Sequence, residues 1–106
     1  MFDDPNLGNV VGVHHPFSAR VQPRDTADVL AAVLSARSDG AKLYPISTGL
    51  NWGYGSDSPV VPGCKLLDLR HMNRIQNAEE ISVDNPVAII EPGVTQGQLY
   101  EFLQQH

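Results

Sequence analysis

Between positions 45 and 59 the chain reads PISTGLNWGYGSDSP, which sets Gly49, Gly53 and Gly55 among Ser47, Thr48, Asn51 and Ser56. Residues of this kind do their chemistry through the backbone. Glycines reach positive φ and carry no Cβ, so several amides and hydroxyls can close on one anion. Two familiar phosphate motifs do not fit. A Walker loop needs Gly-Lys-Ser/Thr, and no lysine lies between Lys42 and Lys65. A dinucleotide fingerprint begun at Gly53 needs a glycine where Ser58 stands, and Pro59 and Pro62 bar the helix that should follow. Composition alone leaves a plain surface turn and a ligand loop equally open. Trp52 and Tyr54 read first as anchors to the core and second as aromatics held beside a ligand.

A second stretch, EPGVT at 91–95, stands where a strand end turns into a helix start. In isolation it is ordinary turn chemistry; functionally, Gly93 and the start of that helix would bring further amides towards a phosphate or a ring edge. Asp68 in LLDL either faces a ligand or supports the turn at its strand end, the simpler of the two. The four histidines form no metal set. His14 and His15 are neighbours and face opposite sides of an extended chain, His71 lies between Arg70 and Arg74, and His106 is the last residue. The single Cys64 excludes an internal disulfide and a thiolate cluster. No nucleophile elbow or Ser-His-Asp set is present, so no metal is expected and no catalytic residue is assigned.

The elements that must position these residues follow from periodicity and caps. Residues 1–18 read as an extended, polar lead-in, and ARVQP (19–23) as a short strand closed by Pro23. DTADVLAAVLSARSDG (25–40) is a helix: Asp25 or Thr26 caps it, Asp28 suits the positive end of its dipole, and Gly40 supplies the exit. Val29, Leu30, Val33 and Leu34 share one face, with Ala31, Ala32 and Ala36 allowing close packing. AKLYPIS (41–47) is a strand running into the glycine loop, so a βαβ crossover with parallel strands is expected. CKLLDL (64–69) reads as a buried strand, RHMNRIQNAEE (70–80) as a polar turn region and VAIIEPG (87–93) as the most apolar strand. TQGQLYEFLQQH (95–106) opens on a capping box, Thr95 to Gln98, with Leu99, Phe102 and Leu103 on one face; with no exit signal before His106, the chain looks cut.

Bulk numbers bound the function. At 106 residues, 42% hydrophobic and 18% charged, this reads as one small globular domain at most, or a piece of one, with a modest core. A net charge of −5, with 7 scattered Lys and Arg, argues against a nucleic-acid surface. No apolar run approaches the roughly 20 residues of a membrane span, and the acidic start MFDDPNLGNV has no signal-peptide core. A cytoplasmic protein is the expectation.

Taken in order, the segments resemble a known family. VQPRDTADVLAAVLSARSDGAKLYPISTGLNWGYGSDSP, CKLLDLRHMNRI and AIIEPGVTQGQLYEFL are similar to the first half of the FAD-binding domain of the vanillyl-alcohol oxidase / p-cresol methylhydroxylase family, over about residues 19–105. The resemblance rests on four motifs in register: P-x-x-(T/S)-x-(D/E)-V, P-x-S-x-G-x-N-x-G-Y-G, L-D-L-x-x-M-N-x-I and E-P-G-V-T. It implies an α+β fold, the first subdomain of a domain of the p-cresol methylhydroxylase type (PCMH-type), with a small, mainly parallel sheet and two packed helices over residues 19–106. It also implies FAD. The contacts would be Pro45, Ile46, Ser47, Thr48, Gly49, Leu50, Asn51, Gly53, Tyr54, Gly55 and Ser56 at the pyrophosphate, joined by Glu91, Pro92, Gly93 and Val94.

Tyr54 matches the loop tyrosine that binds a phenolate oxygen in the phenol-oxidising branch, so an alcohol or para-substituted phenol is the implied substrate. STGLNWG lacks the histidine that other branches attach to flavin, and no flavinylation role is assigned to the histidines of HHPF. The remainder of such a flavoenzyme, a second FAD subdomain and a substrate domain, would be partners of this segment. Alone it is expected to be inactive, to bind FAD weakly or not at all and to self-associate through the apolar face left open. The competing expectations are an interaction module that keeps the fold but holds no flavin, and a phosphate-binding domain that takes no flavin.

Overall fold

A computed structural model describes residues 16–50, 58–59 and 61–106. Three strands, β1 (Phe17–Val21), β2 (Leu43–Ile46) and β3 (Cys64–Asp68), and two helices, α1 (Thr26–Asp39) and α2 (Gln96–Gln105), make up the described part. All strand pairs are parallel, in the order β1-β3-β2. The parallel α+β architecture expected from sequence is therefore present, with one refinement: β3 inserts between the two strands joined by α1. The first strand also starts earlier than ARVQP, at Phe17; residues 1–15 of the expected lead-in lie outside the described residues.

Register sets the two faces of the sheet. Leu66 stands opposite Arg20 and Tyr44, Leu67 opposite Val21 and Pro45, and Asp68 opposite Ile46. Alternation along β3 therefore puts Leu66 and Asp68 on one face with Arg20 and Ile46. Lys65 and Leu67 take the other face, where the Lys65 ammonium meets Asp39 at the end of α1, 2.8 Å away. As the central strand, β3 carries the core: Cys64, Leu66, Leu67 and Asp68 are all buried. Burying Leu66 completely contributes about 1.5–3 kcal/mol.

Local signals made the helices. Asp25 caps α1 by accepting the Asp28 amide at 2.8 Å, and Gly40, at φ 65°, ends it in the left-handed region. Thr95 likewise accepts the Gln98 amide at 3.0 Å ahead of α2. The reciprocal half of the expected capping box is not made, because the Gln98 side chain donates instead to the Asn73 carbonyl at 2.8 Å. On α2, Leu99 and Phe102 are half-buried, Leu103 is exposed, and the Phe102 ring stacks on His106 at 4.3 Å.

Two expectations are corrected. The buried side of α1 is Ala32 and Ala36, whereas Leu30, Val33 and Leu34 are exposed. The small side of the helix, and not its more apolar stripe, is therefore the one turned towards the rest of the described chain. Nor does VAIIEPG form a strand. Its sole ladder contact among the described residues is the antiparallel bridge of Ile90 to Ile75, and Val87, Ile89 and Ile90 are exposed. The buried Asn77 replaces the ladder there, donating to the Val87 carbonyl and accepting the Ile89 amide, both at 2.7 Å.

Candidate functional site at the carboxyl edge of the sheet

Because the strands are parallel, Val21, Ile46 and Asp68 all end at one edge, the edge at which parallel sheets take their ligands. The chain leaves β2 there through the start of the glycine-rich stretch. Pro45 is exposed and Ile46 is buried in the ladder opposite Asp68, so they set where the turn begins. Ser47 is exposed, the Thr48 hydroxyl accepts the Leu50 amide at 3.3 Å, Gly49 stands at φ 74°, and Leu50 is 77% exposed. Gly49 thus occupies a backbone region that glycine enters without strain. The amides of Ser47, Thr48 and Gly49 donate to no described residue. Unclaimed amides beside a left-handed glycine fit a pyrophosphate. Asn51, Trp52, Gly53, Tyr54, Gly55 and Ser56 lie outside the described residues.

The second expected segment reaches the same edge through the 69–72 turn. The Leu69 amide donates to the Ile46 carbonyl at 2.9 Å, and the Gly93 amide donates to the Met72 carbonyl at 2.7 Å. Gly93 is buried against that turn: a Cβ built there would meet the carbonyl oxygens of Leu69, of Met72 at 2.7 Å and of Arg70 at 2.8 Å. Close backbone approach is what demands glycine at 93. Pro92 is exposed and Val94 half-buried, its amide donating to the Glu91 carbonyl at 3.1 Å.

Glu91 is buried and its carboxylate is fully engaged. Arg74 donates Nε to Oε1 at 2.6 Å, Nη2 to Oε2 at 3.0 Å and its amide to Oε1 at 2.9 Å. The hydrogen bond from Arg74 holds the Glu91 carboxyl below the usual carboxylate range, and Glu91 raises Arg74 in turn. Arg74 Nη2 also donates to the Arg24 carbonyl at 3.2 Å, tying the entry of α1 to the EPGV turn. The Glu91 side chain is therefore a clamp on the scaffold, and what this segment offers a ligand is its position.

Sequence reasoning missed a charged cluster at the same edge. Asp68, with no exposed surface, accepts Arg20 Nη1 at 2.7 Å, Gln22 Nε2 at 3.1 Å and the Arg70 amide at 3.2 Å. Arg70 Nε lies between both carboxylate oxygens, at 2.9 Å and 2.8 Å. Burial pushes the Asp68 carboxyl up, yet the hydrogen bonds from Arg70, Gln22 and Arg20 together outweigh it and leave the carboxyl below its ordinary value. Arg20 in addition lies over the Phe17 ring, 5.4 Å from its centre. The one local signal was Arg70 two positions after Asp68. Arg20 and Gln22 come from the far side of the chain and meet Asp68 only through the β1–β3 register.

Other features do not compete for this role. A shallow groove of about 340 Å³ between β1 and α1, lined by Val21, Pro23, Ala32 and Lys65 among others, includes none of the residues expected from sequence. Among the described residues no group of His, Cys, Asp and Glu could hold a metal ion, and no helix is long and apolar enough to cross a membrane.

Comparison with known proteins shows the family and the fold. Residues 17–106 match the family described as FAD binding domain. The chain is 45% identical over 89 residues to a 1'-carboxy-chondrochloren decarboxylase of Chondromyces crocatus, covering 84% of this chain and 16% of that protein. It is 38% identical over 94 residues to the flavoprotein subunit of 4-cresol dehydrogenase [hydroxylating] of Pseudomonas putida, covering 87% of this chain and 17% of the subunit. A crystal structure of p-cresol methylhydroxylase with substrate bound superposes with a TM-score of 0.75 at 38% identity, over 89% of this chain and 18% of that one. The 106 residues thus span less than a fifth of the length of these relatives. With a family match from the first strand to the last residue and a fold shared with a flavoprotein of 38% identity, the chain belongs to the FAD binding domain family, PCMH-type in fold, whose cofactor is FAD.

Proposed function

We propose that this chain is the part of a flavoprotein oxidoreductase that holds the FAD pyrophosphate, and that the whole enzyme oxidises a para-substituted phenol or an alcohol. The observation that carries this reading is the convergence of the 45–50 and 91–94 turns on one carboxyl edge, with amides at Ser47, Thr48 and Gly49 that donate to no described residue. The amides and hydroxyls of the glycine-rich stretch bind the pyrophosphate, and the EPGV turn borders the cofactor. When bound, FAD supplies the hydride acceptor. By its motif, Tyr54 binds the phenolate oxygen. The 4-cresol dehydrogenase relative supports the phenol assignment.

Alone, the chain turns over no substrate and holds FAD weakly, because most of the surface that encloses a flavin lies in further polypeptide. The exposed Val87, Ile89 and Ile90 are the surface through which it associates with that polypeptide or with itself. The test is to prepare the full-length protein with FAD and titrate it anaerobically with 4-alkylphenols. Bleaching of the flavin absorbance is expected. A protein that takes up no flavin at any concentration removes the reading in favour of an interaction module, and tighter binding of ATP than of FAD replaces it with a phosphate-binding domain.

A second reading is favoured by the 45% identity to a decarboxylase: the carbon next to the oxidised one bears a carboxylate, so that loss of a hydride from the first carbon to the flavin and of CO₂ from its neighbour leaves a carbon–carbon double bond between them. A 4-hydroxyphenyl substrate with and without that carboxyl separates the two, since only the decarboxylating enzyme releases CO₂ in step with flavin bleaching.

A further inference from the structure

The guanidinium of Arg70 is held more firmly than an exposed side chain requires. Its Nε is shared by both oxygens of Asp68, its amide is bound by the same carboxylate, and yet 43% of the side chain is exposed. Asp68 therefore fixes both the backbone and the head of one arginine. Among the described residues the two Nη groups of Arg70 have no hydrogen-bond partner. A planar fork with its rear edge pinned and its front edge open is suited to phosphate oxygens.

Charge and position point the same way. Among the described residues Asp68 faces two guanidinium groups, Arg20 and Arg70, whereas Glu91 faces Arg74. In a chain of net charge −5, a guanidinium pinned at this edge with 43% of its side chain exposed is a point that attracts anions. Arg70 also lies between the two turns of the site. The amide of its neighbour Leu69 bonds Ile46, where the glycine-rich stretch begins, and its own carbonyl packs on Gly93.

We propose that Arg70 is an anion-binding residue of this site, donating its Nη groups to the FAD pyrophosphate, and that Asp68 is its positioning residue. The inference rests on the proposed function and adds a charged side chain to a cradle otherwise made of backbone amides. No bond is made or broken.

The test uses the full-length protein and three probes: FAD, ADP and riboflavin, the last without phosphate. Arg70→Gln is expected to raise the Kd for FAD and for ADP about tenfold, equivalent to about 1.4 kcal/mol, with riboflavin unchanged. It should also flatten the salt dependence of FAD binding. Arg70→Lys keeps the charge and loses the fork, so it restores the salt dependence and recovers part of the affinity. FAD affinity within twofold of the parent in Arg70→Gln, or a riboflavin affinity that falls in step with that for FAD, overturns the proposal while leaving the FAD assignment intact. A parent protein that binds neither FAD nor ADP overturns both. If Arg70→Gln does not fold, Arg70→Lys decides by direct titration: its Kd for inorganic pyrophosphate should rise roughly threefold with riboflavin affinity unchanged, and a pyrophosphate Kd equal to the parent's refutes the role.

Discussion

Replacing Gly93 by alanine separates two reasons for a glycine in the EPGV turn. If the residue is needed only so that a cofactor can come close, the protein without FAD should tolerate a methyl group there. The packing says otherwise. The added Cβ would stand 2.7 Å from the Met72 carbonyl oxygen and 2.8 Å from that of Arg70, with the Leu69 oxygen against it as well. These are backbone atoms, none of them able to swing aside, and the gaps fall roughly 0.6–0.7 Å short of ordinary contact.

Overpacking of this kind costs about 1–3 kcal/mol. The shift that relieves it would also stretch the 2.7 Å bond from the Gly93 amide to the Met72 carbonyl, at a cost of about 1 kcal/mol. A loss of about 3 kcal/mol is therefore expected, out of about 5–15 kcal/mol for a domain of this size. In thermal unfolding without cofactor the midpoint should fall by roughly 10–20 °C. Gly97→Ala is the internal control: its nearest neighbour is the Thr95 hydroxyl at 3.9 Å, so the change should be neutral or stabilising by up to about 1 kcal/mol. A Gly93→Ala protein that melts with the parent and loses only FAD affinity would refute the packing argument.

Three further outcomes follow from the charged and polar clamps. Asp68→Asn removes a buried carboxylate from Arg20, Arg70 and Gln22; since both guanidinium groups can still reach water, the cost should be about 2–3 kcal/mol by urea unfolding rather than the larger penalty of a stranded buried charge. Asp68 and Glu91 both have lowered carboxyl values in the fold, so their stabilisation is complete above the ordinary carboxylate range near ~4 and is lost as pH falls through the lower folded values. Stability measured from pH 6 downwards should thus show an acid limb, and Asp68→Asn should shrink it. Asn77→Ala leaves the Ile89 amide and the Val87 carbonyl without their partner, so about 1–3 kcal/mol of stability should go, with faster hydrogen exchange at the Ile89 amide; unchanged exchange there would count against the clamp.

Much of this protein was legible in its residues because the deciding interactions are local. Asp25, Gly40 and Thr95 act on groups within a few positions, so both helices end where their caps stand. The short apolar runs at LYPI and CKLLD form strands because no helical period competes with them. The glycine-rich stretch after β2 was marked by composition, and four motifs standing in order pointed to the family that the comparisons show.

What only the tertiary structure decided depends on register between distant segments. The insertion of β3 between β1 and β2 brings Arg20 and Gln22 to Asp68, which neither composition nor spacing along the chain records. The inward face of α1 is the one with Ala32 and Ala36, against the pull of a more apolar stripe, and it depends on segments distant in the chain. The role of Gly93 was set by three carbonyls of a turn more than twenty residues earlier. A cap is satisfied within one turn of chain, so sequence determines it; a strand order and the charges it assembles are satisfied only when separate segments meet, so the fold determines them.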